Sequence, residues 1–388
     1  MSRTLLQFHH WHSADPVAMN AYRKAIHEVV RLGDIVMDIG AGAGILSFHA
    51  CSAGASKVYA VERTEIANLI ELTAAENGVA DRVSVHRASS FDVTIPERAD
   101  VVVASMLDSF GIDNNILGTA IDARARLLKP GGTIVPSALA ISYCPVEIQA
   151  WYDENIGCWD LSRFGFSFGC VRSVAANQTG AKHLEKSALL SDPRTFAPIN
   201  LNRVNSANVS DSTEFLVERP GTFHALAGWF DCEMTGSVRC GNSPFDPDRL
   251  PWANFLMPIE QPVRVEEGDR IETTVREVTH DQNMTWAWAA TVRGSDGAVK
   301  ASINQSSLKG MLLTKKDLNR LRASYVPRLS RRGKAASAAL QNCDGDLSLA
   351  KIATRVQSRF PELFTNEEAA RQFVNSLLDK SMLEITGN

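Results

Sequence analysis

One stretch, Val36-Met37-Asp38-Ile39-Gly40-Ala41-Gly42-Ala43-Gly44-Ile45-Leu46-Ser47, restricts the fold of this chain more than any other. Residues 36–39 predict a short buried strand, and residues 45–53 predict a helix after the glycine turn. Residues 57–61 predict a second apolar strand that runs into Glu62. Strand, turn, helix and strand at this spacing make a right-handed unit with parallel strands. Glycine carries no Cβ, so the turn at Gly40, Gly42 and Gly44 lets backbone approach a ligand at the carboxyl edge of the sheet.

Two cofactor classes suit that arrangement. Dinucleotide sites favour G-x-G-x-x-G, with a pyrophosphate on the helix N-terminus. Here the spacing is G-x-G-x-G, and Asp38 stands two residues upstream. A carboxylate there would repel a phosphate, but it suits the sulfonium and amino-acid end of S-adenosyl-L-methionine (SAM), which becomes S-adenosyl-L-homocysteine. Glu62, ending the second strand, is placed to accept both ribose hydroxyls. SAM is the expected cofactor; a dinucleotide and a turn that binds nothing are the alternatives.

At 388 residues the chain has room for two or three domains, and 45% hydrophobic with 22% charged residues is a globular composition. A net charge of −4 predicts no nucleic-acid partner. No apolar run reaches the ~18 residues of a membrane span, and residues 1–13 lack a signal peptide's apolar core, so no membrane partner and a cytoplasmic location are expected. The seven cysteines are scattered and never in C-x-x-C, which predicts reduced thiols and no zinc site. The cluster His9-His10-Trp11-His12 has no matching ligand motif nearby, so no metal is expected.

Residues 15–32 predict an amphipathic helix, with Pro16 at its start behind an Asp15 cap. Helix 64–78, strand 83–86, strand 99–104, helix 117–128 and a strand from 133 complete a doubly wound, Rossmann-like cofactor domain over 1–138. Strand-rich runs at 139–145, 222–233, 270–278 and 285–293 then predict an antiparallel β-barrel domain over 139–312. Within it the aromatic-rich segment 151–176 reads as a protruding partner surface or as core. Residues 313–333 read as a basic linker, and 334–388 as three helices and a closing strand at 382–385, a small winged-helix-like domain.

Residues 9–312 resemble the protein arginine methyltransferase (PRMT) family. The resemblance rests on MDIGAGAGILSFHACSAGASKVYAVE, VVVASMLDSFG, ARLLKPGGTIVP, HALAGWFDCEM and LPWANFLMPIEQPVRVEEGDRI, in family order and spacing. It implies a SAM-binding domain, a β-barrel domain, and a homodimer built on an arm at 151–176. It also implies that Asp38, Gly40, Ala41, Gly42, Gly44, Ile45 and Leu46 surround the methionine part. Glu62 and Arg63 would then lie at the ribose, Ser89 and Ser90 at the adenine, and Ser105 beside the cofactor.

The departures from that family fall on the chemistry. Its two substrate glutamates match Ser105 and Asn114, its Thr-His-Trp loop reads Leu250-Pro251-Trp252, and its cofactor-facing arginine aligns with Ala18 or Met19. A guanidinium needs paired carboxylates, so peptidyl-arginine is demoted, with Asp108 and Asp113 as a displaced pair. Asp108, Asp113 and His12, from the His9–His12 group, are the candidate catalytic residues for an N- or O-acceptor.

Residues 343–385 are also similar to PqqD-like domains, the RiPP recognition elements that bind leader peptides by strand addition. The expected function is therefore SAM-dependent methylation of a peptide such as a natural-product precursor. Methylation of a small-molecule acceptor such as free arginine, and a peptide-binding scaffold with a vestigial SAM site, are the alternatives.

Overall fold

The computed structural model describes residues 5–162, 165–196, 198–280 and 283–378. It divides into two compact units, Met1–Leu312 and Leu313–Asn388.

The first unit opens with α1 (Leu5–Ser13) and α2 (Pro16–Val29). Asp15 caps α2 as its sequence position predicts: its Oδ1 accepts the Val17 and Ala18 N–H groups at 2.9 and 3.2 Å. Then follow β1 (Ile35–Ile39), α3 (Ile45–Ala53), β2 (Lys57–Val61), α4 (Ile70–Glu76), β3 (Val83–His86), β4 (Ala99–Ala104), α5 (Ile116–Asp122) and β5 (Leu128–Val135). The strands form one parallel sheet in the order β3-β2-β1-β4-β5. β1 and β4 are at its centre and covered on both faces, which is why their sequences are apolar runs rather than alternations. The order reverses beside β1, so the turn after it opens into the crevice where such sheets take ligands.

The helix expected over 117–128 begins at Ile116 but widens into a π turn at Ala123–Leu127. The long side chain of Arg126 is carried there.

The chain continues through β6 (Ala138–Val146), α6 (Gln149–Asn155), α7 (Gly169–Ala176), β7 (Gly180–Lys182), β8 (Arg194–Thr195) and β9 (Ile199–Asn200). Next come β10 (Val209–Leu216), β11 (Gly221–Glu233), β12 (Arg239–Gly241), β13 (Asn254–Val265), β14 (Arg270–His280), β15 (Asn283–Arg293) and β16 (Val299–Ser306). Two antiparallel sheets result. One is ordered β10-β14-β15-β16; the other is β7-β13-β11-β6-β8, with β12 on β11 and β9 on β6. Their inner faces build a barrel-like domain around Tyr143, Phe215, Phe223, Trp286 and Trp288. The segment 151–176 is a helical excursion between β6 and β7, with Leu161 and Phe166 62% and 69% exposed at its tip. One core runs through both halves of this unit: Phe110, from the loop after β4, stacks on Phe255 of β13 at 5.2 Å.

The second unit contains α8 (Lys315–Arg320), α9 (Arg331–Leu340), α10 (Leu349–Arg359) and α11 (Glu367–Leu378). Two stretches expected as linker are helical. Thr314 and Asp317 form a reciprocal capping box that starts α8, and Ser330 caps α9, so Arg331 and Arg332 belong to that helix. The apolar rows of α10 and α11 meet around Ile352, Val356, Phe373 and Val374. The expected closing strand at 382–385 lies outside the described residues. Among the described residues no helix is long and apolar enough to cross a membrane, and no three metal-ligating side chains cluster.

Candidate functional site

The site grows from the glycine turn. Gly40, Gly42 and Gly44 all have positive φ, at 76°, 55° and 92°. All three are also closely approached: a Cβ on Gly44 would lie 2.8 Å from the Phe48 ring. A Cβ on Gly40 would lie 3.3 Å from the Ser105 carbonyl oxygen, and one on Gly42 would lie 2.8 Å from His9 Nδ1. Ala41 and Leu46 are buried beneath the turn, and Ile45 packs partly against the core. β2 holds the turn in place, since the Gly40 and Ala41 N–H groups both donate to the Val61 carbonyl at 2.9 and 3.1 Å.

Two carboxylates define its polarity. Asp38 is fully buried; its Oδ2 accepts the Ser47 hydroxyl at 2.7 Å, while its Oδ1 has no partner. Burial is the main cause that pushes its carboxyl up to about 6, against the Ser47 hydrogen bonds. Glu62 uses both oxygens as struts: Oε2 accepts Gly42 N–H at 3.1 Å and Oε1 accepts Thr64 N–H at 2.8 Å. Arg63, next to it, is exposed.

Ser89 and Ser90 follow β3. The Ser89 hydroxyl accepts the Phe91 N–H at 3.3 Å, and Ser90 is largely buried. Arg126 pins this loop by donating to the carbonyls of Ser90 (2.7 Å) and Val93 (3.0 Å) while forked onto Asp122. That clamp was not expected from sequence, where Arg126 reads as one more charge on a helix.

Ser105 continues β4, its N–H donating to the Ile39 carbonyl at 3.1 Å. The following loop carries no strand and runs as a series of turns. It brings Asp108 and Asp113 together. Asp108 is exposed and accepts the Ser109 N–H at 2.7 Å; Asp113 is half-buried and accepts the Phe110 N–H at 3.0 Å. Burial first, and then the Asp108 charge, push the Asp113 carboxyl up to about 7. Asn114, matching the second family glutamate, is exposed.

The histidine group divides. His9, not His12, reaches the glycine turn, where burial lowers its imidazole pKa and the Glu62 charge works the other way. His12 Nδ1 instead lies 3.0 Å from the Phe8 carbonyl, and its ring faces Trp252 at 6.2 Å. Trp252 in turn donates Nε1–H to Asp15 Oδ2 at 2.8 Å. Ala18 is buried and Met19 packs against the core, so neither presents a polar group. Behind them, the Tyr22 hydroxyl ties α2 to the Ala104 carbonyl at 3.1 Å.

The residues present fit SAM. A buried, unpartnered carboxylate oxygen beside a turn with no Cβ suits a cationic amino-acid group, and a phosphate would meet Asp38 head on.

Comparison with known proteins agrees. The family profile of the arginine methyltransferase oligomerization subdomain matches residues 140–291, and that of ribosomal protein L11 methyltransferase (PrmA) matches residues 22–143. Protein arginine N-methyltransferase 6 of Xenopus laevis is 29% identical over 272 residues, 66% of this chain and 79% of the relative. Protein arginine N-methyltransferase 1.1 of Arabidopsis thaliana is 26% identical over 268 residues, 67% of this chain and 68% of the relative. Among solved structures, the Trypanosoma brucei PRMT1 enzyme-prozyme heterotetrameric complex with AdoHcy superposes with a TM-score of 0.67 at 19% identity. It covers 75% of this chain and 95% of that one. Arabidopsis thaliana protein arginine methyltransferase 10 gives 0.63 at 22% identity, covering 76% and 95%.

The chain is a SAM-dependent methyltransferase with a Rossmann-like sheet and an antiparallel barrel-like domain. More narrowly, it is PRMT-like.

Proposed function

We propose that this methyltransferase modifies a nitrogen on a peptide or protein side chain, with Asp113 taking up the proton. The observation that carries this is the loop from Ser105 to Asp113. It starts against Gly40 at the cofactor turn and ends on a shielded carboxyl with a pKa of about 7, matched to proton transfer near neutral pH. The relatives are protein arginine N-methyltransferases, which supports a protein substrate and a nitrogen acceptor. The absence of the family's glutamates at Ser105 and Asn114 keeps arginine from being assumed.

In this reading Asp38 would face the methionine amino group, Gly40, Ala41, Gly42, Gly44, Ile45 and Leu46 would line that end, Glu62 and Arg63 the ribose, and Ser89 and Ser90 the adenine. SAM supplies a methyl group activated on a sulfonium. The chain's own residues do the rest: Asp108 and Asp113 orient a cationic acceptor, and Asp113 receives the proton as the amine is used. His9 closes the methionine end against water, and His12 supports α1 against Trp252.

We further propose a homodimer built on the 151–176 excursion. The match to an oligomerization subdomain and the exposed Leu161 and Phe166 support it. The peptide-binding proposal for 334–388 rests on the PqqD-like resemblance, because strand addition would use 382–385, outside the described residues.

The test is methyl transfer from labelled SAM into native-host extract, with the full chain, a chain ending at Ser330, and Asp113→Asn. Label in a peptide or protein fraction, reduced at least tenfold by D113N and rising with pH through about 7, supports the reading. Loss on truncation adds the second unit to substrate recognition. Label confined to small molecules would sink the peptide proposal in favour of metabolite methylation.

A further inference from the structure

β12 is a three-residue edge strand paired with β11, and its register places Cys240 directly opposite Cys232. The ladder fixes which kind of pair this is. Asn242 N–H donates to the Phe230 carbonyl at 3.1 Å, and Met234 N–H to the Val238 carbonyl at 2.9 Å. Hydrogen-bonded and non-bonded pairs alternate, so 232 and 240, between these two, form a hydrogen-bonded pair. Such pairs have Cα atoms ~5.5 Å apart, inside the window that a disulfide spans. Both thiols are free. Cys232 is buried, 1% exposed, whereas Cys240 is half-exposed and lines a groove of about 340 Å³ with Pro16, Val17, Asn20 and Lys24 of α2. Cys240 is therefore the accessible residue of the pair, and Cys232 is the shielded one.

We propose that Cys232 and Cys240 form a reversible cross-strand disulfide, a modification site beside α2. The oxidant class is a peroxide. The Cys240 thiolate attacks a peroxide oxygen, the S–O bond forms, the O–O bond breaks and hydroxide leaves. Cys232 then attacks the sulfenic sulfur; the S–S bond forms and the sulfenic oxygen leaves as water with the Cys232 proton. In sum two thiols and one hydrogen peroxide give one disulfide and two waters. Burial of Cys232, followed by its hydrogen bond with Cys240, holds its thiol well above the ordinary range, so the buried sulfur is the resolving partner and not the one first oxidised. Because Cys240 borders the groove, a thiol reductant can reach the cross-link and reopen it.

The site has a mechanical reach. The same hairpin carries Thr235 and Ser237, whose hydroxyls both donate to Glu28 on α2, the first at 2.5 Å. Joining 232 to 240 locks the strand pair from which α2 is held.

Arg239 lies between the two cysteines, so trypsin leaves the flanking peptides joined only by the disulfide. The full-length protein is treated with hydrogen peroxide, alkylated under denaturing conditions, digested and mapped by mass. The expected result is a linked 232/240 peptide pair lighter by two hydrogens, loss of alkylation at both residues, and recovery of both after dithiothreitol. Amide exchange at 234–242 should slow in the oxidised form. Cys240→Ser should abolish the link while leaving the alkylation of Cys232 after denaturation unchanged. Both cysteines staying alkylatable at a dose that oxidises exposed Cys170 would overturn the proposal. So would Cys240 advancing to sulfinic acid without linking. Wild-type mapping reads each outcome even if a variant fails to fold.

Discussion

Asp15 and Trp252, 237 residues apart, are joined by a 2.8 Å hydrogen bond from the indole N–H to Oδ2. The other oxygen of the same carboxylate caps α2. One buried side chain thus starts the helix behind the cofactor turn and receives the loop leaving the barrel-like domain. Trp252→Phe keeps an aromatic ring but removes the donor together with part of the indole's packing. A lost hydrogen bond to a charged, buried group costs ~1.5–3 kcal/mol. The expected outcome is a lower Tm with unchanged secondary structure, and weaker SAM binding by calorimetry; Asp15→Asn, which keeps a capping oxygen, should cost less than Asp15→Ala.

Asp38 gives a pH dependence with a definite sign. Its folded pKa, about 6, is above its ordinary value, so the protein without cofactor is favoured by protonation: that stability is present at low pH and is lost as pH rises through about 6. A cationic ligand needs the ionised form. SAM affinity should therefore fall as pH drops below about 6, with proton release on binding near that pH. Ser47→Ala removes a hydrogen bond to the carboxylate and should move the midpoint upward. Calorimetry in buffers of different ionisation enthalpy reads both effects; a pH-independent affinity between 5 and 8 would exclude this role for Asp38.

Gly42→Ala should damage the site twice, through positive φ and through contact with His9. The steric part is separable. In His9→Ala the 2.8 Å approach is gone and only the backbone cost remains, ~1 kcal/mol for a residue forced left-handed. The loss of SAM binding that Gly42→Ala causes should thus be smaller in the His9→Ala background than in the wild type. Equal loss in both would place His9 away from the turn in solution.

Arg126→Ala removes the clamp on the Ser90 and Val93 carbonyls. Weaker binding of SAM is expected, with a smaller loss for S-adenosyl-L-homocysteine analogues lacking the adenine base. A proportional loss for both ligands would mean that Arg126 acts on the fold and not on the Ser89–Ser90 loop as the proposed adenine contact.

How much of this was legible follows from range. The β1–turn–α3–β2 unit reads directly from sequence because strand period, glycine positions and helix period agree over 27 consecutive residues, Ile35 to Val61. The Asp15 cap reads for the same reason. The Asp15–Trp252 bond and the opposition of Cys232 and Cys240 depend on which strands and loops meet, and no local pattern encodes that. His12 was favoured within its cluster because sequence places the four residues equally; only the phase of α1 selects His9. The linker reading of 313–333 followed its charge, and overlooked that Thr314 and Ser330 are helix caps.

Glu62 carries a further consequence. Each of its oxygens already accepts one backbone N–H, from Gly42 and from Thr64, and a carboxylate oxygen has two lone pairs. One acceptor direction per oxygen is therefore left over, and the two are fixed relative to each other before any ligand arrives. That is a ready-made gauge for a vicinal diol. A nucleoside lacking either ribose hydroxyl would leave one direction unfilled, and it would gain nothing from rotating the carboxylate, because rotation breaks its bonds to the Gly42 and Thr64 N–H groups.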